Sequence, residues 1–349
     1  MGAGGCDVTI RGAGIFGLSI ASACLGRGAR VRVIDPFGVG AGSSGGIVGA
    51  LAPHVPENWN AKKAFQLESL LMAEGFWAGV AEASGRDPGY LRSGRLQPLA
   101  DDRAVALARD RAQGAAELWQ GRAEWRVTGG EGLDDWRPVS PTGLYVLDTL
   151  TARMHPRQAC AALAAAIVAR GGEVVAEGAE AGAVVHATGA QGLEALNVAF
   201  GRSVGTGVKG QAALLRLDRR DAPQLFCDGV HVVPHGDGTV AIGSTSERDY
   251  DRPDSTDTQL DDVIARARAA VPALAGADVI ARWAGVRPRA RSRAPLLGPW
   301  PGRPGHFIAN GGFKIGFGMA PKVAEVMANL ILDDRDAVPE GFRTDEALA

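Results

Sequence analysis

The sequence predicts a mixed α/β protein made of two units threaded through each other. Three observations carry that expectation. The chain opens on a strand, a glycine-rich turn, a helix and a second strand. Its middle, residues 211–243, alternates as an antiparallel sheet does, and its end returns to a strand followed by an amphipathic helix. The 349 residues are 46% hydrophobic and 22% charged, which fits a globular chain with more than one core.

Element by element, residues 6–11 (CDVTIR) read as a strand. Residues 15–27 carry Ile15, Leu18, Ala21 and Leu25 at helical spacing, and residues 30–34 (RVRVI) alternate again. Residues 39–49 form a Gly/Ser loop. Residues 61–83 read as a long amphipathic helix with Phe65, Leu71, Met72, Phe76 and Val80 inward, and 102–119 as another. Short strand pieces flank Ser93-Gly94. Pro156 opens an Ala-rich helix that Gly171 and Gly172 stop. Residues 173–175 and 183–187 are strands. Residues 211–217, 230–234 and 239–243 form the antiparallel set, with His235-Gly236-Asp237-Gly238 as a hairpin turn. Residues 258–270 are a helix closed by Pro272. Residues 306–309 are a strand, 310–318 a glycine-rich turn, and 319–332 the last helix.

Charge and cysteine use narrow the function classes. Lys+Arg 37 against Asp+Glu 39 gives a net charge of −2, which argues against a nucleic-acid partner. Cys6, Cys24, Cys160 and Cys227 stand far apart with no CxxC, which argues against a zinc site or disulfide framework. The acids Asp249, Asp251, Asp254, Asp257, Asp261 and Asp262 match no calcium-loop spacing, so no metal is expected. Residues 1–14 lack the basic stretch and apolar core of a secretory signal, and no apolar run reaches membrane-spanning length. A cytoplasmic protein is expected, with homo-oligomerisation left open.

The turn between the first strand and helix is Gly12-Ala13-Gly14-Ile15-Phe16-Gly17, a GxGxxG in βαβ context. Gly12 permits the tight turn, Gly14 lets the backbone approach a pyrophosphate, and Gly17 lets helix and sheet pack. The helix N-terminus favours the phosphates' charge. Asp35 ends the second strand, where a carboxylate takes ribose hydroxyls. This is a Rossmann-type dinucleotide site that does not by itself separate NAD from FAD.

Three further features favour FAD. Gly42-Ser43-Ser44-Gly45-Gly46 follows Asp35 closely and suits a pyrophosphate. Val184-Val185-His186-Ala187-Thr188-Gly189-Ala190 is a strand running into Thr-Gly. The stretch from Asn310 to Gly318 (NGGFKIGFG) lies between a strand and the final helix, where backbone N–H groups suit the electron-rich edge of a flavin. Each alone is an ordinary turn; their joint order is what points to a flavin.

The set resembles the FAD-dependent D-amino-acid-oxidase superfamily, most closely its glycine oxidase and sarcosine-oxidase-like branch. The matching residues are the glycine turn, Asp35, residues 43–52, 184–190, Lys209-Gly210-Gln211, Trp283-Ala284-Gly285-Val286-Arg287-Pro288 and 312–321. The resemblance implies a glutathione-reductase-type FAD domain, residues 1–55, 151–207 and 284–349, interleaved with a substrate domain, 56–150 and 208–283. It implies non-covalent FAD lined by Gly12, Gly14, Ile15, Phe16, Gly17, Asp35, Pro36, Ser43, Ser44, Val48, Gly49 and Ala50. Thr188, Gly189, Gly285, Gly312, Phe313, Lys314, Ile315, Gly316, Phe317 and Gly318 complete the lining. The segment 173–183 is shorter than the hairpin usual there, which puts the adenine contact near Ala179.

The resemblance also implies oxidation of an amine beside a carboxylate, by hydride transfer from Cα to flavin N5 and hydrolysis of the imine, with O2 as acceptor. Arg287 is then the carboxylate partner, because a guanidinium matches a carboxylate with two parallel bonds. Lys314 stands where glycine oxidases carry an arginine, and serves either substrate charge or oxygen activation. His54, after the flavin loop, and His231, before Val232-Val233-Pro234, are candidates for the substrate cavity. His155 and His186 read as structural. No catalytic base is assigned, because an amine bound neutral supplies its own electrons. The alternatives are a dehydrogenase passing electrons to a quinone or carrier, an oxidase of a glycine-like modified tRNA nucleoside, and a non-catalytic FAD-bearing subunit.

Overall fold

The computed structural model describes residues 5–348. Residues 1–4 and 349, which belong to the expected first unit, lie outside the described residues. The opening is as expected: β1 Val8–Arg11, α1 Ile15–Gly26 and β2 Val31–Ile34. There follow β3 Ala50–Leu51, α2 Ala61–Ser84, β4 Arg95–Pro98, α3 Asp102–Trp119, β5 Trp125–Thr128, β6 Tyr145–Asp148, β7 Ala152–Arg153 and α4 Pro156–Ala169. Next come β8 Glu173–Val175, β9 Ala183–His186, α5 Gly189–Ala199, β10 Gly205–Arg216, β11 Gln224–Cys227, β12 Val230–Pro234 and β13 Thr239–Gly243. The chain closes with α6 Thr258–Ala270, β14 Asp278–Ala290, β15 Leu296–Pro299, β16 His306–Asn310, α7 Gly316–Asp333 and α8 Thr344–Leu348.

Local chemistry sets the helix ends. Asn60 caps α2 by accepting from the Lys63 N–H at 3.1 Å, and Asp101 caps α3 by accepting from the Ala104 N–H at 2.7 Å. Asp257, one of the acids of the 249–262 run, caps α6 through the Gln259 N–H at 3.0 Å.

Two large sheets organise the fold. The six-stranded sheet has the order β15-β16-β9-β1-β2-β8 and draws on three separate stretches of chain. β1 pairs parallel with β2 and β9, and β15 alone runs antiparallel. Val8, Ile10, Val33 and Val185 are buried, as strands covered on both faces require. The eight-stranded sheet has the order β14-β10-β13-β12-β11-β4-β6-β5. α6 covers one of its faces, placing Leu260, Val263 and Ala267 in one core with Val232, Val240 and Ile242.

Several elements differ from the sequence expectation. α7 begins at Gly316, so the last residues of the expected turn are its first turn. β10 starts at Gly205, six residues early, because Gly205, Gly207 and Gly210 mark places where neighbours occupy the side-chain space, not a loop. β14 is not legible in the sequence because arginines break its pattern, and the expected division at 283/284 falls inside it. α5, β5, β6, β11 and β15 were also unexpected. Among the described residues, no helix is long and apolar enough to cross a membrane.

Candidate active site

The nucleotide end is built around the glycine turn. Gly12 has φ +107°, and a Cβ there would stand 2.4 Å from the Ala187 carbonyl oxygen, so β9 is pressed against the turn. A Cβ on Gly17 would stand 2.0 Å from the Gly12 carbonyl oxygen, so only glycine lets α1 leave the sheet here. Gly14 caps α1 without a side chain. The Ile15 N–H donates to Ser44 Oγ at 3.0 Å, which brings the Gly/Ser loop across the helix end. Asp35 accepts the Ala13 N–H at 2.8 Å and the Phe37 N–H at 3.0 Å, so its carboxylate is fixed beside the turn, with Pro36 exposed next to it. An amide-rich helix end facing a hydroxyl and a fixed carboxylate fits the diphosphate and ribose of a dinucleotide.

The other expected contacts spread around this end. Thr188 caps α5 beside Gly12, and the Gly189 carbonyl accepts from Asn310 Nδ2 at 2.9 Å, which ties the closing turn to α5. Ala179 lies exposed on the loop after β8, its carbonyl accepting from Arg32 at 3.3 Å. Val175 stands nearer the carboxylate, because its carbonyl accepts the Asp35 N–H at 3.0 Å. The β2–β8 pairing, which sets Val175 beside Ile34, is what singles it out, and the sequence carries no local signal of that pairing.

The closing turn reaches back to α1. Gly312 packs on the Phe16 ring and Gly316 on Ile15, with would-be Cβ contacts of 2.9 and 3.5 Å. The Phe313 N–H donates to the Pro288 carbonyl at 3.0 Å, which fastens the turn to β14 one residue past Arg287. Ile315 caps α7, Phe317 is half-buried in its first turn, and Gly318 packs under Leu70. Ser43 opens the short turn Ser43–Gly45. The Gly49 carbonyl accepts the Met154 N–H at 2.8 Å, and Ala50 pairs with Arg153 in β3–β7. Val48 touches the space above Gly243, and the Trp283 ring fills the space above Gly285.

Where this loop meets the large sheet, side chains thin out at Gly210, Gly243 and Gly285. Arg287 lies flat across Gly210: a Cβ there would be 1.9 Å from Nη1 and 2.2 Å from Cζ. Its Nη2 donates to Ser244 Oγ at 2.8 Å and its Nη1 to the Thr245 carbonyl at 3.3 Å. Burial pulls its pKa down to about 10, against the pull of Glu247, so it stays cationic at neutral pH.

His231 reaches the same place because β12 pairs His231 with Gly243, next to Ser244. Burial first, then the charges of Arg95, Lys314 and Arg287, hold its pKa at about 3, so it is neutral. Its Nδ1 is buried without a partner among the described residues. Lys314 is exposed, its ammonium 5.6 Å from the Phe313 ring centroid. Loss of surrounding water and the Arg287 charge push its pKa down. Arg287, Lys314 and His231 therefore converge. His54 has a tether of its own, its N–H donating to Gln66 Oε1 at 2.8 Å while Gln66 Nε2 holds the Ala52 carbonyl at 3.1 Å. Burial pushes His54 below the usual histidine range. The sequence reading missed Ser244, Thr245 and Gly210 as the seat of Arg287; the Lys209-Gly210-Gln211 motif was their signal.

A dinucleotide-type fold with the cationic side chains of Arg287 and Lys314 beside its closing turn is the arrangement of an FAD-linked oxidoreductase. Residues 7–330 match the family described as FAD dependent oxidoreductase (DAO), and the chain belongs to it, with FAD as cofactor. Within that family it resembles glycine oxidases. The one from Pseudomonas putida is 33% identical over 142 residues, 38% of this chain and 39% of that protein. Those aligned residues span well under half of the Pseudomonas protein. The one from Geobacillus kaustophilus is 24% identical over 93% of this chain and 92% of its own length. The crystal structure of the Geobacillus enzyme superposes with a TM-score of 0.83 at 23% identity, covering 97% of this chain and 98% of that one. Iminodiacetate oxidase from Chelativorans sp. BNC1 gives 0.83 at 22% identity over 96% and 98%. L-proline dehydrogenase from P. horikoshii gives 0.79 at 20% over 96% and 95%. These structures share the fold.

Proposed function

We propose that the chain oxidises the C–N bond of a small amino acid or secondary amine acid, with O2 as acceptor. The observation that carries this reading is Arg287. It is a half-buried guanidinium seated over a glycine, beside the turn that closes on the nucleotide end, with no carboxylate bonded to it among the described residues. Such a group is poised for the carboxylate of a ligand.

FAD is held by the glycine turn, Ile15, Phe16, Asp35, Pro36, Ser43, Ser44, Val48–Ala50, Thr188, Gly189, Gly285 and the turn Gly312–Gly318. This assignment gives FAD the discontinuous unit 1–55, 151–207 and 284–349. The chemistry that FAD would supply when bound is acceptance of the hydride lost from the substrate Cα, with the imine left to hydrolyse in water. The protein's part is orientation and charge. Arg287 fixes the carboxylate. Arg287 and Lys314 together disfavour a protonated amine, so the substrate binds with its nitrogen lone pair free. Neutral His231 borders this place without adding charge. No dedicated base is needed. The four unpaired cysteines suit a reducing compartment, and we place the protein in the cytoplasm.

The test is anaerobic mixing with glycine, sarcosine and D-alanine, followed by air. Loss of the flavin's visible absorbance with any of them, and its fast return on air, is the expected outcome. No bleaching by any amine acid sinks the reading. Slow return on air with fast return on a quinone replaces the oxidase by a dehydrogenase, which the fold shared with L-proline dehydrogenase favours as the second reading.

A further inference from the structure

We infer that Glu247 is a positioning residue for Arg287, acting from the opposite face of the large sheet through the Thr245 peptide. This rests on the reading of Arg287 as the partner of the substrate's carboxylate. The Lys209-Gly210-Gln211 motif, which the nucleotide site does not use, supplies the geometry.

Along β10 successive side chains point to opposite faces. Gly210 therefore bares one face, where the guanidinium lies, and Lys209 and Gln211 project from the other. Past the end of β13 the chain continues along β10. The Lys209 and Glu247 backbones exchange two bonds of 2.9 Å, and the Thr245 N–H donates to the Gln211 carbonyl at 3.2 Å. Thr245 joins the two faces. Its carbonyl accepts from Arg287 at 3.3 Å, while its Oγ accepts the Gln211 N–H at 2.8 Å and donates to Glu247 Oε1.

Glu247 is the centre of the hidden side. Its Oε1 also accepts from Gln211 Nε2 at 3.0 Å, and its Oε2 lies 3.3 Å from Lys209 Nζ. Lys209, Gln211 and Glu247 are 3%, 0% and 8% exposed, so the bonds are out of reach of solvent competition. The Asp257 carboxylate completes the ring, 2.9 Å from Gln211 Nε2 and 3.4 Å from Lys209 Nζ. Asp257 is exposed, but the buried Lys209, Gln211 and Glu247 side chains are all bonded, and they hold the Ser244–Thr245 shelf on which the guanidinium rests. The Glu247 charge also favours the cationic form of Arg287. A network that only stabilised the fold would have no reason to bond the residue whose carbonyl holds the substrate's counter-charge.

The test uses the FAD-loaded protein with acetate as an unreactive carboxylate, read by perturbation of the flavin spectrum, together with kcat and KM for the amine acid that bleaches the wild type. Glu247→Gln should raise the acetate Kd and the KM about tenfold, leave kcat within about twofold, and keep full FAD content; Glu247→Asp should recover most of the loss. Thr245→Val, which removes only the hydroxyl link, should raise Kd about threefold and serves if Glu247→Gln does not fold. Acetate affinity unchanged in folded Glu247→Gln, or in Thr245→Val, overturns the inference. So does a fall in kcat and FAD content that matches the rise in KM. Arg287→Ala separates the two claims. If wild type and Arg287→Ala respond to acetate alike, the substrate reading fails and the inference with it. If they differ while Glu247→Gln matches wild type, this inference alone fails.

Discussion

A guanidinium laid across a glycine tolerates little change on either partner. Arg287→Ala removes a charge-assisted clamp worth about 3 kcal/mol, so KM for carboxylate substrates should rise roughly a hundredfold with FAD retained. Arg287→Lys should recover little of it, because an ammonium cannot repeat the planar two-bond match. Steady-state kinetics on flavin-loaded variants checks both. Gly210→Ala places a methyl 1.9 Å from Nη1, so the guanidinium or the strand must move. KM should rise about tenfold and stability should fall by about 1–3 kcal/mol, read together from kinetics and urea unfolding. His231 gives a different kind of prediction. With its pKa held at about 3 it carries no proton above pH 5, so the pH profile of kcat/KM should show no limb near 6.5 that disappears in His231→Gln. Sequence alone singles out Arg287 as a candidate only through the family motif that surrounds it. It could not pick Ser244 or Thr245, whose part depends on a strand that is distant in sequence folding alongside β10.

At the scale of elements, legibility followed how local the determining contact is. α3 and α6 were read at their observed bounds, because their caps, Asp101 and Asp257, stand next to their apolar stripes. β1, α1 and β2 were legible for a similar reason, since the glycine turn that joins them is contiguous. β10 and β14 were not. Their glycines and arginines look like loop or surface in isolation, and only the pairing of the two strands from Gly205–Ala290 to Arg216–Asp278 explains them. The same logic makes α1 sensitive at its start. Gly17→Ala must push the helix off the Gly12 carbonyl, now 2.0 Å from the would-be Cβ, and should leave a protein purified with little or no FAD and a lowered melting temperature. Ser44→Ala is the milder probe. It frees the Ile15 N–H, and FAD affinity should drop by about tenfold in a titration of the apoprotein, with the fold intact.

Over the whole molecule, all six histidines are pushed below their ordinary range, and three of them furthest. Burial is the first cause for each: His231 is held at about 3, His186 and His235 at about 4. The unfolded chain binds these protons near pH 6.5, so below that pH it takes up more protons than the native state does. Stability is fully present above pH 6.5 and is lost as pH falls toward 3–4. The melting temperature should fall by roughly 5 °C or more between pH 7 and 5, and His235→Gln should flatten part of that slope. A melting curve independent of pH in this window would contradict the assignment.

The six-stranded sheet carries a last consequence, for how the protein is made. β1 emerges first, yet its neighbour β9 begins at Ala183, and β16 and α7 lie beyond His306. In a nascent chain the apolar edge of β1 that β9 covers therefore stays open until Ala183–His186 has been made. The cofactor's cradle exists only once the chain has been made past His306, and a fragment that stops short of that point has no independent hold on flavin.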